Sequence, residues 1–390
     1  HYIMKSKVVH IVLNTFVQDS RVMRECKSLA ENGYDVTVIA YWMEDLKEDE
    51  FQDGYTIKRL RLKTKSWTNN SIVQVFKYLE FLFKSLLTIN KIKPKVCHGH
   101  DPSGLFVAYF AKVILNCHII YDSHELWGHT SHMNNYNKIL YKIGGYFEKF
   151  IINKTDFVIT VNNSIGDLLK KHTGKESIKI IRNIPENNSA KINLNRNHLK
   201  LPNSKFILIY IGSLAKGRGV DQLIKCMNHV RQDIGLAIVG GEPKYHDEYN
   251  RLIEGYSLMG RVGILPAVSP NEVISICSVA DVGIHPIENT CLNHFYCLPN
   301  KLFQYIQAGI PVLCSDFPEM RKIVNGYKVG EVFDVEDINN ISNTINIFFE
   351  DMEKLMEYKN NCIKASATLN WNIEKIKLLD IYSQLLSTSN

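Results

Sequence analysis

Two apolar patterns alternate along the chain. Continuous apolar runs, "KVVHIVLN", "YDVTVIAYW", "KVCHGHD", "CHIIYDSHELW", "TDFVITVNN" and "IKIIRNIP", read as strands buried on both faces of a parallel sheet. Between them, "SRVMRECKSLAENG" and "PSGLFVAYFAKVILN" return apolar residues at helical spacing. Asp19 or Ser20 is placed to cap the first helix and Gly33 to end it, and Pro102 opens the second. Residues 186–204, "ENNSAKINLNRNHLKLPNS", lack apolar periodicity and read as a linker. The pattern then restarts, with "KFILIYIG", "GLAIVGG", "RVGILPA", "DVGIHPI" and "PVLCSDF" as strands among helices, including one from about Asn300 to Gln307. Helices between buried strands demand parallel sheets with right-handed crossovers. The expected fold is therefore α/β, with two Rossmann-like doubly wound domains, 4–185 and 205–370. A last helix, 371–390, is expected to return to the first domain. Two such domains joined by one linker would face across a cleft lined by the carboxyl ends of their strands.

Composition narrows the function classes. The chain has 390 residues, 45% hydrophobic and 22% charged, enough for two separate cores. His1–Ile3, ahead of Met4, read as an added leader and are set aside. Lys plus Arg number 46 against 40 Asp plus Glu, and this net +6 is too diffuse for nucleic acid. It fits phosphorylated small molecules or an anionic membrane surface. The densest basic and apolar segment is "IKRLRLKTKSW" with the helix that follows. There Ile72, Val75, Phe76, Leu79, Leu82, Phe83 and Leu86 read as core-facing, with the lysines in solvent; a peripheral membrane contact is the alternative. No apolar run reaches the roughly 18 residues of a membrane span. Nine scattered cysteines without a Cys-x-x-Cys pair point to free thiols in the cytoplasm and away from zinc.

Six stretches could carry chemistry. "YIGSLAKGRGVDQLI" sets Gly212, Ser213, Gly217 and Gly219 between strand and helix, where backbone N–H groups can approach phosphate and Arg218 adds a bidentate charge. Arg218-Gly219 stand where a P-loop needs Lys-Ser/Thr, so this is either another anion loop or a plain tight turn. "IVGGEP", with Gly240, Gly241 and Glu242, and "GILPAVSP", with Pro266, offer strand-end groups to a ribose or base. "HGHD" and "YDSHELW" place His98, His100, Asp101, His124 and Glu125 at strand ends. Separate strands and no helical His-x-x-x-His spacing favour ligand hydrogen bonding over a metal. The most informative stretch is "FYCLPNKLFQYIQAGIPVL": Asn300 can cap a helix whose free N–H groups favour an anion, beside Lys301, with Gln304 on the same side.

In order and spacing, these segments resemble the retaining GT-B glycosyltransferases of family 4 (group 1) over essentially the full length. The resemblance implies metal-independent transfer of a sugar, without cofactor, from a nucleotide diphosphate sugar, UDP by family weight. The acceptor would be a glycan or a lipid-linked molecule in bacterial surface polysaccharide or glycolipid synthesis, which implies a cytoplasmic protein, peripheral on the inner face of the plasma membrane. It implies catalytic roles for His124, Arg218 and Lys301. Donor contacts would come from Gly212, Ser213, Gly217, Gly240, Gly241, Glu242, Pro266, Leu298, Asn300 and Gln304. Asp19, Arg21, His100 and Asp101 would border the acceptor. Tyr296 and Gln304 stand where the family has two glutamates, Ser213 where many members have Arg, and "NTF" replaces a glycine pair. These departures motivate a second reading, a catalytically degenerate member acting as the acceptor-binding or stabilising subunit of a paired transferase.

Overall fold

The computed structural model describes residues 5–67, 71–126, 138–187, 194, 196 and 199–387. The chain divides into two compact units, His1–Arg182 with Glu374–Asn390, and Asn183–Ile373. The segment read as a linker therefore belongs to the second unit: Leu194 and Leu201 pack on its core, and Arg196 pairs with Asp281 at 2.8 Å.

In the first unit, eight strands run β1 (Lys7–Ile11), β2 (Asp35–Tyr41), β3 (Asp49–Gln52), β4 (Tyr55–Leu60), β5 (Val96–His100), β6 (His118–Ser123), β7 (Phe157–Thr160) and β8 (Lys179–Ile180). They form one sheet in the order β3-β4-β2-β1-β5-β6-β7-β8, parallel except for the antiparallel β3–β4 pair. That edge hairpin is absent from the sequence reading, which took "IKRLRL" only as part of the densest basic and apolar segment. Period-two alternation instead buries Tyr55, Ile57 and Arg59. Arg59 donates to Glu50 at 2.6 Å and to the Thr15 and Lys47 carbonyls, so its charge is satisfied internally.

The helix Ser71–Ile92 corrects a second expectation. Phe81, Ser85 and Ile89 face the core, whereas Val75, Phe76, Leu79 and Phe83 are exposed and Leu82 and Leu86 half-buried. Ile72's side chain lies outside the described residues. The helix is apolar on both sides, and periodicity cannot choose a face in that case.

In the second unit, β9 (Phe206–Ile211), β10 (Ile234–Val239), β11 (Val262–Leu265), β12 (Val282–His285), β13 (Val312–Ser315) and β14 (Gly330–Phe333) form a fully parallel sheet ordered β11-β10-β9-β12-β13-β14. The order reverses between β9 and β12, the switch point at which open α/β sheets bind ligands. These two strands pair only at Val282↔Leu208 and Gly283↔Ile209 before they part. Tyr305, buried on the helix Asn300–Ala308, bridges the gap: its hydroxyl accepts from Ile211 N and donates to the Ile284 carbonyl, both at 3.2 Å. A Cβ on Gly283 would lie 2.2 Å from that ring, so glycine is required there. β14 was also missing from the sequence reading, which had only helix after β13.

Candidate functional site

The second unit builds a candidate anion site at its switch point. β9 ends at Gly212, whose φ of 133° suits glycine. A Cβ there would stand 2.6 Å from Lys301 Nζ and one on Gly240 would stand 2.5 Å from the Gly212 carbonyl oxygen, so these three positions are in contact. The loop from Gly212 turns back at Gly219, where a Cβ would sit 1.7 Å from the carbonyl oxygen of Pro286, just beyond β12. Gly217 lies on that loop against Thr290 and His294, and Gly241 against Leu214.

Two cations face this turn. Lys301 Nζ donates to the Tyr210 hydroxyl at 3.1 Å and lies 4.5 Å from that ring's centre. Burial, and then the Arg218 charge, lowers the Lys301 pKa to about 7. Among the described residues neither Lys301 nor Arg218 has a carboxylate within ion-pair distance. Polar atoms without protein partners surround them: Asn300 Oδ1 and both ring nitrogens of the buried His285. Burial, then Lys301 and Arg218, holds the His285 ring neutral, its pKa well below the usual value. Uncompensated positive charge, free N–H groups and unpaired polar atoms at a helix start suit a polyanion.

The other expected donor residues divide. Leu298 is buried and Gln304 half-buried on the helix side that carries Lys301. Ser213 is exposed, its hydroxyl accepting from Ala215 N. Pro266 is exposed just after β11, and Glu242 is exposed and paired with Lys244 at 2.6 Å. Asn300 is the first helical residue and not the cap. Pro299 takes the cap position, where no side-chain bond is made.

The first unit gathers a second constellation at the carboxyl ends of β1, β5 and β6, the strands flanking its own switch point. His10 Nδ1 and His100 Nε2 are 2.9 Å apart, and His100 Nδ1 and His124 Nε2 3.1 Å. The Tyr382 hydroxyl, on the helix Trp371–Ser387, bonds to His98 Nδ1 at 2.9 Å and His10 Nε2 at 3.2 Å. Asp122 accepts two bonds from Arg21 at 2.9 and 3.0 Å, and Arg21 Nε lies 3.2 Å from Glu25. Burial would raise the Asp122 pKa, yet Arg21 and then His124 hold it well below the carboxylate range. Burial raises Glu25 to about 8 against the pull of Arg21, and lowers His98 to about 3. At His124 burial is outweighed by the carboxylates of Asp101 and Asp122, which hold its pKa up at about 10. His124 is thus a cationic donor at neutral pH, and it is only partly buried.

This arrangement corrects two expectations. Arg21 and His100 are buried to within a few percent, with their polar atoms engaged inside the protein, so they position neighbours and do not border an acceptor. Asp19 caps the helix Ser20–Glu31 and accepts from Asn14. Asp101 accepts from His124 N at 3.1 Å. The separate strands that argued against a metal are neighbours, β1 beside β5 and β5 beside β6, so their polar residues converge. Two sets, His10, Glu25, His98 and His100, and His100, Asp122 and His124, bring ligand-type atoms within 4.8 Å of one another and could hold a metal. His10 pairs with His100 and His100 with His124, whereas His98 Nε2 and both Glu25 oxygens are buried without a hydrogen-bond partner. His10, Glu25, Asp122, His285, Tyr305 and Tyr382 were not singled out from sequence. A polar residue closing an apolar strand was the available signal for Asp122 and His285.

Two family profiles match: "Glycosyltransferase Family 4" over residues 19–184 and "Glycosyl transferases group 1" over residues 191–365. The chain belongs to the group 1/family 4 glycosyltransferases. Among curated relatives, this glycosyltransferase is 22% identical over 203 residues to the phosphatidylinositol N-acetylglucosaminyltransferase GPI3 subunit of Saccharomyces cerevisiae. That match covers 49% of this chain and 42% of the relative, so it spans less than half the relative's length. Among solved structures, sucrose-phosphate synthase from Thermosynechococcus elongatus superposes with a TM-score of 0.82 at 17% identity, covering 98% of this chain and all of that one. Anabaena HepE, solved with UDP and glucose, gives 0.74 at 15% identity, covering 98% and 100%. The fold is GT-B.

Proposed function

We propose that this glycosyltransferase moves a hexose, with retention at the anomeric carbon, from a UDP-sugar to a glycan or lipid-linked acceptor in bacterial surface polysaccharide or glycolipid synthesis. The observation that carries the reading is the pair of uncompensated cations, Arg218 and Lys301, at the switch point of the second unit. The neighbour HepE was solved with UDP and with UDP-glucose, which supports the choice of donor. The diphosphate sits against Arg218, Lys301 and the Asn300 helix start, and Gln304 reaches the ribose. As the acceptor oxygen bonds to the anomeric carbon, the bond from that carbon to the diphosphate breaks and the departing phosphate takes the acceptor's proton. Charge grows on the leaving group, and Arg218, Lys301 and helix N–H groups stabilise it without a metal. Cationic His124 donates to a hydroxyl of the donor sugar.

The pH dependence of donor binding tests the Lys301 role. With its pKa at about 7, free Lys301 is about half neutral at pH 7. A bound diphosphate favours the ammonium, so binding takes up a proton. The dissociation constant for UDP should therefore be lowest below pH 7 and rise by up to about tenfold per pH unit above it. Calorimetry between pH 6 and 9 measures this, and a flat profile would remove Lys301 from the site.

Gln304→Glu separates an active enzyme from a degenerate subunit, the reading that Gln304, Tyr296 and Ser213 motivate. A carboxylate at 304 should tighten UDP-sugar binding by about 1 kcal/mol, read by calorimetry, if the ribose lies there. An unchanged affinity, together with no hydrolysis of UDP-, GDP- or ADP-sugars, would favour the subunit.

A further inference from the structure

We infer that the interior of the first unit holds a structural zinc ion, ligated by His10, His98, His100 and Glu25. The strand register assembles three of the four. His10 on β1 is paired with His98 on β5, and His98 and His100 stand two residues apart, so all three side chains leave one face of the sheet. The His98 ring centre lies 4.5 Å from that of His10 and 4.5 Å from that of His100. Glu25, on the helix Ser20–Glu31, faces them, with Oε2 4.0 Å from His100 Nε2. None of the four is more than 2% exposed. One ligand-type atom from each lies within 4.8 Å of the other three.

Unsatisfied atoms point to the ligand. His98 Nε2 and both Glu25 oxygens are buried and make no hydrogen bond within the protein. Arg21 Nε approaches Glu25 Oε1 at 3.2 Å, but its hydrogen bonds go to Asp122 and the Ile181 carbonyl. Buried polar atoms left in this way are costly, and a bound cation removes the cost. The other ring nitrogens are held from behind, as metal-binding histidines require. The Tyr382 hydroxyl bonds to His98 Nδ1 at 2.9 Å and His10 Nε2 at 3.2 Å, and His124 Nε2 lies 3.1 Å from His100 Nδ1. With two lone pairs, the Tyr382 oxygen accepts from both rings, which leaves the lone pairs of His98 Nε2 and His10 Nδ1 for the ion. His10 Nδ1 and His100 Nε2, 2.9 Å apart, share a proton that the ion displaces to solvent. Three imidazoles and one carboxylate suit zinc, whereas magnesium and calcium take oxygen ligands. Tetrahedral zinc sets its ligand atoms roughly 3.4 Å apart, so side-chain shifts of about 1 Å close the site. With four buried protein ligands the ion ties β1, β5 and the helix Ser20–Glu31 together, and through Tyr382 the helix Trp371–Ser387. The sugar-transfer step does not run through it.

The test unfolds the full chain in guanidinium with a chelator, refolds it with or without zinc sulfate, and measures metal by mass spectrometry after gel filtration. The zinc-refolded chain should carry about one zinc and melt several degrees above the metal-free chain. Cobalt(II) in place of zinc should give the visible absorption of a four-coordinate site. Glu25→Gln and His98→Ala should each retain less than about a tenth of the parent's zinc. Tyr382→Phe keeps the ring and removes only the hydrogen bonds behind the ligands, and should weaken zinc binding by about 10- to 100-fold. That variant and the parent's own stoichiometry decide the matter if the ligand variants do not refold. A parent without zinc and with an unchanged melting temperature would overturn the inference, leaving a water between His98 and Glu25. Zinc held equally by the parent and by Tyr382→Phe, as at a surface site, would overturn it too. Metal content is read without donor or acceptor, so the result is separate from the transferase reading.

Discussion

Arg218→Ala is expected to lower sugar transfer or donor hydrolysis by roughly 30- to 1,000-fold, a loss of about 2 to 4 kcal/mol of transition-state stabilisation. The guanidinium stands in the loop that leads from β9 to the helix Val220–Cys226, among the described residues without a carboxylate to neutralise it, and it helps to depress the Lys301 pKa. Its charge is therefore available to a leaving diphosphate, whose own charge grows as the glycosidic bond breaks. The variant should fold normally, since no buried partner is abandoned. It should also raise the Lys301 pKa, because the nearest positive charge is gone. Turnover measured alongside thermal unfolding checks both halves of the expectation. A transfer rate equal to the parent's would reject Arg218 as a phosphate ligand.

Arg21→Ala should destabilise the first unit by about 3 to 5 kcal/mol, because it leaves the buried, ionised Asp122 without its principal cation. Urea unfolding followed by circular dichroism measures the loss. The sign of its pH dependence follows from Asp122, whose folded pKa is held well below the ordinary value by Arg21 and His124 despite burial. A depressed carboxylate stabilises the fold above its unfolded pKa of about 4, and that contribution is lost as pH falls through the folded pKa. The gap between parent and variant should therefore narrow in acid. An unchanged urea midpoint would show that the pair contributes nothing net. Arg21 was expected to touch an acceptor, and the structure makes it a positioning residue instead: it holds Asp122, which with Asp101 keeps His124 charged.

Features carried by a few consecutive residues were legible in the sequence. The alternation of apolar runs with helical spacing implied parallel α/β sheets, and the glycine turn with Arg218 and the helix beginning near Asn300 marked the candidate anion site of the second unit. In each case the cause is local: strand and helix periods, glycine's access to positive φ, and free N–H groups at a helix start. Which residues meet across the chain was decided by the tertiary structure alone. The helix Ser71–Ile92 is apolar on both sides, so only packing against the sheet shows that Phe81 and Ile89 are core while Phe76 and Phe83 are not. His10, His98 and His100 acquire their altered chemistry from neighbouring strands and from Tyr382, far away in sequence. Lys301 is lowered toward neutral pKa by burial and by Arg218, both consequences of the β9–β12 switch point. Burial and long-range charge are properties of the folded chain, and no local pattern encodes them.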